Sequence, residues 1–252
     1  MNKISTTLAA CLLGAVAQAQ LVDSFSGGSL GTYTLTRVLD NGVAEANVTF
    51  SDTTGALVGS YAGTINQPEQ LVLLRSDVSL GVGFRLLADV LFPVQTSQMD
   101  FGLAVSATAT PTGVGNPTPT DTRGTFNWAG VYVRPSQNAV RAVSSINGTV
   151  VTATGVLAAD ETAIGQLFIE RNSATDFTLG YYDTSATRFV SRTASFTASD
   201  VGTAIGFYAD LRAAGGSLGS LDNLRITVIP EPSVFALAGI GALGLLWRCR
   251  RK

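Results

Sequence analysis

Histidine is missing from all 252 residues, and lysine and cysteine are confined to the ends, at Lys3 and Lys252 and at Cys11 and Cys249. Charge is scarce as well, at 13% against roughly 25% in an ordinary soluble domain. Each absence excludes something. Without His or Cys in its interior, the chain cannot assemble a Ser-His-Asp or Cys-His nucleophile there. Imidazole and thiolate metal ligands are excluded for the same reason. Without Lys, Schiff-base and phosphate-loop chemistry go too. A net charge of −2 and a pI near 5.1 argue against nucleic acid as a partner, which calls for a basic stripe. What is present is 46% apolar residues and a mean hydropathy of +0.30, the opposite of the composition that keeps a chain disordered.

The ends read as addresses. Residues 1–19 combine a basic start at Lys3, an apolar run from Leu8 to Val16, and Ala17-Gln18-Ala19, which is the pattern of a secretory signal peptide cut by signal peptidase between Ala19 and Gln20. Leu8-Ala9-Ala10-Cys11 has some likeness to a lipobox, but the apolar run continues past Cys11, so a cut there would truncate the membrane segment. At the other end, residues 230–252 begin with Pro230-Glu231-Pro232 and continue without a charge from Ser233 to Trp247. They finish on Arg248-Cys249-Arg250-Arg251-Lys252. Fifteen uncharged residues make a short transmembrane helix, since about 20 are needed for a full span. The terminal cations would hold this end on the cytoplasmic side of the inner membrane.

Those three parts in order resemble the PEP-CTERM sorting signal. The resemblance implies export in a Gram-negative bacterium that makes exopolysaccharide. It also implies brief anchoring in the inner membrane, and processing by an exosortase that recognises Pro230, Glu231 and Pro232. From there the protein would pass to the cell surface or extracellular matrix.

Removing both ends leaves residues 20–229, predicted to form one domain. The sixteen cations lose Lys3 and the four of the tail, and the eighteen anions lose Glu231. Eleven Arg then face seventeen carboxylates, a net charge of −6. No disulfide is possible within it, so the domain must hold together by burial of a core. Period-two alternation fills this region. Phe84, Leu86, Ala88 and Val90 alternate with Arg85, Leu87 and Asp89; Met99, Phe101, Leu103 and Val105 alternate with Asp100, Gly102, Ala104 and Ser106. Phe177, Leu179 and Tyr181 repeat the pattern, as do Ile205, Phe207, Ala209 and Leu211, and then Leu224, Ile226 and Val228. Such alternation marks half-buried strands. A dozen or so of them must stack as an all-β, two-sheet sandwich. The Pro- and Gly-rich stretch from Ala107 to Thr125 reads as a long surface loop.

Val22-Asp23-Ser24-Phe25 with Tyr33, and Ser220-Leu221-Asp222-Asn223-Leu224-Arg225-Ile226 near the end, resemble the opening and closing strands of concanavalin A-like lectin and glucanase jelly rolls. The resemblance implies that the first and last strands pair side by side. It also implies that Asp222 is a candidate ligand for a structural calcium, the alternative being a turn-forming Asp-Asn. No other cofactor is implied.

Carboxylates are the remaining route to catalysis, chiefly glycoside hydrolysis. The hydrolases of that family place acids in a Glu-x-Asp-x-x-Glu strand, and no two carboxylates between Asp23 and Asp222 lie two or four residues apart. The expectation is therefore a non-enzymatic structural or adhesive protein of the surface or matrix. The alternative is a glycan-cleaving enzyme whose acids come from different strands. For polysaccharide contact the candidates are Trp128, Tyr132 and Arg134, on one side of Trp128–Arg134 with Gly130 between the rings. They form either an open platform for sugar rings or a set of aromatics covering the sheet through cross-strand pairs.

Overall fold

The structure is a computed structural model. It describes residues 19–40, 48–52, 55–62, 69–91, 100–110, 114–115, 127–134, 137, 139–146, 149–152, 156–157, 161–211 and 216–229. The signal peptide, the Pro230-Glu231-Pro232 motif and the apolar tail lie outside the described residues, as does most of the loop between Ala107 and Thr125. Among the described residues there are seventeen strands and no helix long and apolar enough to cross a membrane.

One sheet has eight strands. Its path runs β15 (Arg188–Ser195), β14 (Asp176–Asp183), β13 (Ile164–Arg171), β6 (Phe84–Leu91), β17 (Gly216–Val228), β4 (Leu57–Tyr61) and β3 (Val48–Ser51), with β1 (Gln20–Asp23) alongside β17. The other has nine: β11 (Thr149–Thr152), β10 (Ala139–Ile146), β9 (Trp128–Arg134), β7 (Asp100–Ser106), β16 (Ala204–Leu211), β5 (Glu69–Arg75), β2 (Thr34–Asp40) and β8 (Val114–Gly115), with β12 (Val156–Leu157) against β10. The two-residue β8 pairs parallel with β2, so a piece of the expected loop joins the sheet edge. The first and last strands pair, with Gln20 opposite Ile226.

The alternation read from the sequence sets which face is buried. Leu86 and Ala88 of β6, Leu167 and Ile169 of β13, and Phe177, Leu179 and Tyr181 of β14 meet Phe101, Leu103 and Val105 of β7 and Ile205, Phe207 and Ala209 of β16 in one core between the sheets. Phe207 sits at its centre, with its ring 5.5 Å from Phe25, 5.7 Å from Tyr33 and 6.1 Å from Phe101. Burying large aromatic and aliphatic side chains is the main stabilising contribution here.

A polar cluster closes one end of this core. Asp23 accepts from the Phe25 amide at 2.8 Å and from the Tyr33 hydroxyl at 3.1 Å, and Arg75 lies 3.6 Å from it. Burial pushes the Tyr33 phenol well above its ordinary value, against the opposing pull of Arg75.

Candidate functional site

The outer faces of the two sheets differ, and both hold groups of functional interest. On the nine-stranded sheet, Trp128, Gly130, Tyr132 and Arg134 share the outward parity of β9, as the sequence suggests. The open platform does not form. Tyr208 of β16 enters the gap between the two rings, 5.3 Å from Trp128 and 5.1 Å from Tyr132. Exposure is 0% for Trp128 and 1% for Tyr132 and Tyr208, in a second apolar cluster with Val72, Leu74, Ala104 and Val143. The rings therefore form a cross-strand aromatic set, one of the two arrangements open at the sequence level. Beneath the rings Gly102 lets β7 approach β9 closely, because a Cβ there would stand 1.9 Å from the Val131 carbonyl oxygen.

Along the same face runs a polar row that the sequence scan missed. Asp210 pairs in register with Asp100 on one side and with Gln70 on the other. Arg134 lies one position beyond the Val133–Phe101 pair, at the Asp100 end of this row. Asp210 accepts from the Gln70 amide at 3.0 Å and from the Tyr208 hydroxyl at 3.3 Å. Directly opposed residues hold their Cβ atoms about 5 Å apart, which approaches the carboxyl separation of about 5–5.5 Å in retaining glycosidases. Asp100 and Asp210 are separated by more than a hundred positions, so no search of local spacing finds them. The signal available was the lone acid on the polar side of each alternating strand. Both are 0% exposed.

The eight-stranded sheet presents the opposite picture, an open groove of about 570 Å³. Arg85, Gln166, Tyr182 and Thr227 line it. Arg85 donates through Nε to the Thr227 hydroxyl at 2.9 Å and through a terminal nitrogen to the Tyr182 hydroxyl. Tyr182 rests on Phe168 with ring centroids 5.1 Å apart. The carboxylates around the groove are engaged by donors. Glu170 accepts from Arg188 and lies 3.8 Å from Arg85, and Asp183 accepts from the Ser185 and Thr187 amides at 2.9 and 2.7 Å.

Asp222 also lies on this face, opposite Asp89 on β6. It accepts from the Asn223 amide at 2.6 Å and from the Asn223 side chain at 3.1 Å. Asn223 sits at φ 50, in the left-handed region, where the β17–β6 register shifts. Asp89 in turn accepts from Gln166, Asn223 and Arg225. Donors surround both carboxylates, and among the described residues no group of three His, Cys, Asp or Glu gathers. Asp222, the candidate calcium ligand, thus sits at the bulge beside Asn223, in the turn-forming Asp-Asn arrangement that is its alternative reading.

Comparison with known proteins bears on the tail and on the fold. Residues 228–252 match the PEP-CTERM protein-sorting motif, which indicates an exosortase-processed protein exported to the cell envelope or surface. No curated protein matches the chain by sequence. Among solved structures, a Bacillus subtilis protein of unknown function with a galectin-like fold aligns at 9% identity and a TM-score of 0.54, over 84% of this chain and 97% of that one. The Bacillus licheniformis β-glucanase aligns at 12% identity and a TM-score of 0.50, over 85% and 98%. An endo-β-galactosidase from Clostridium perfringens that releases GlcNAcα1-4Gal aligns at 10% and 0.52, over 87% of this chain and 63% of its own. At such identities the likeness is one of fold, a jelly-roll β-sandwich.

Proposed function

We propose that this is a non-enzymatic structural or adhesive protein of the cell surface or extracellular matrix. In this reading it crosses the inner membrane of a Gram-negative bacterium behind a signal peptide that is cut after Ala19. Its C-terminal helix then holds it there until exosortase acts at Pro230-Glu231-Pro232. It contacts exopolysaccharide through the open groove, where Arg85, Gln166 and Thr227 supply hydrogen bonds and Tyr182 an aromatic edge. The observation that carries this is the contrast in exposure. The face with facing carboxylates and three rings is closed at 0–1% exposure, whereas the open groove has its carboxylates engaged by donors. Groups of that kind bind a sugar without cleaving it.

One observation favours a second reading. Asp100 and Asp210 stand directly opposite one another on neighbouring strands, so a glycan-cleaving enzyme with acids on separate strands is the alternative. A glycan array combined with a reducing-end assay separates the two. The full-length chain is expected to bind without releasing reducing ends. Tyr182→Leu should weaken binding about tenfold, a loss near 1.4 kcal/mol, and Trp128→Phe should leave it unchanged. Release of reducing ends that Asp210→Asn abolishes would establish the enzyme instead.

A further inference from the structure

The alternation of β6 and β17 carries past the end of the core. Phe84 shares the inward parity of Leu86, and Val228 shares that of Ile226, yet Phe84 is 39% and Val228 36% exposed while Leu86 is fully buried. The two pair in register across the strands. Val82, in the turn before β6, is 50% exposed. A single exposed apolar side chain needs no explanation, but here two residues of the core stripe and a third beside them are left uncovered at one corner.

That corner is also where both ends of the domain leave it. Ile229 donates its amide to the Gly83 carbonyl at 2.8 Å, and β1 begins with Gln20 opposite Ile226. The predicted signal-peptide cut and the start of the tail therefore lie side by side. From Val228 to Ser233, where the uncharged stretch begins, there are five residues, which reach at most about 17 Å when fully extended. If that stretch sits in a bilayer, the corner cannot be farther than this from its surface. Of the cations beside it, Arg171 pairs in register with Phe84 and spends its guanidinium on the carbonyls of Leu80, Ala174 and Ser199, and Arg85 donates to the hydroxyls of Thr227 and Tyr182. Little positive charge is thus left to draw in anionic lipid, and the mature domain as a whole is acidic.

We propose that Val82, Phe84 and Val228 form the surface by which the sandwich rests on the bilayer while its tail is still attached. This rests on the reading of the tail as a membrane segment. Three side chains bind a membrane only marginally by themselves. The tether supplies the missing affinity by holding them at high effective concentration. Because the contact is apolar, it is independent of lipid charge and of salt. Once exosortase has acted, the contact lapses and the domain is free to leave.

The test uses the full-length chain in phosphatidylcholine vesicles with and without brominated acyl chains, which quench nearby indoles. Trp128 and Trp247 are the only tryptophans, and Trp128 is sealed. In the native chain, quenching of Trp247 reports whether the tail is inserted. In a Trp247→Phe background, Phe84→Trp and, separately, Val82→Trp report on the corner. Ser185→Trp, in the exposed turn between β14 and β15 at the other end of those strands, serves as the reference. The expected result is quenching at 84 and 82 at least about threefold stronger than at 185, unchanged in 0.5 M salt. Quenching of Trp247 with no excess at 84 or 82 overturns the resting surface and leaves the anchor standing. An unquenched Trp247 removes the anchor and the resting surface with it.

Discussion

The two outer faces of this sandwich solve the same physical problem in opposite ways. A sheet face must either bury its apolar side chains or make itself polar enough for water. The nine-stranded sheet buries: Trp128, Tyr132 and Tyr208 stack over glycines, and Asp100, Asp210 and Gln70 are sealed beside them. The eight-stranded sheet stays wet, with Arg85, Glu170, Asp89, Gln166 and Arg225 tied in ion pairs and hydrogen bonds around an open groove. Catalytic-looking residues are therefore found where solvent is absent, and accessible groups where no free acid pair is found among the described residues. Residue types alone do not say which face is open to solvent.

Substitutions at matched positions sharpen that contrast. Tyr208→Ala takes away the ring on which both neighbours stack and should destabilise by about 4 kcal/mol in denaturant titration. Gly102→Ala follows at about 3 kcal/mol, since its methyl would overlap the β9 backbone. On the open face, Tyr182→Ala loses the Arg85 bond and the Phe168 contact but leaves a site that water refills, so about 1 kcal/mol is expected. Equal costs for Tyr208→Ala and Tyr182→Ala would erase the distinction between the faces.

Part of the acid sensitivity should come from an exposed carboxylate, Asp176. Hydrogen bonds from the Ser173 and Ser195 hydroxyls hold the Asp176 carboxyl below its ordinary 3.8. A depressed native pKa stabilises fully above the unfolded value and is lost as pH falls through the native one. Melting temperature should thus be flat down to about pH 4 on this account and decline below it. Asp176→Asn should make that decline shallower. The smallest effect is expected at Ser145, whose buried hydroxyl has no hydrogen-bond partner among the described residues. Ser145→Ala should be neutral, or stabilising by up to about 1 kcal/mol.

Much of this was legible in the sequence, and the failures share one cause. Alternation placed Phe101, Leu103 and Val105, and Ile205, Phe207 and Ala209, on the inner faces because periodicity within a strand is local information. It could not say that Tyr208 would fill the space beside Gly130, nor that Asp210 would stand opposite Asp100, because both depend on which strands become neighbours. The same blindness applies at the corner. Phe84 and Val228 obey the alternation of their strands, yet the core stops before reaching them. In the stretch after Ala107, most of which lies outside the described residues, proline and glycine content hides the two residues that pair with β2.

Closure of the nine-stranded face is the claim on which the functional reading turns, and Trp128 reports on it directly. Acrylamide quenching of the Trp247→Phe chain, with Trp128 as its sole indole, should give a Stern–Volmer slope at least about tenfold below that of the same chain unfolded in guanidinium, as expected for an indole out of contact with solvent. A slope near the unfolded value would show that face to be open to solvent. It would return Asp100 and Asp210 to the position of accessible acids.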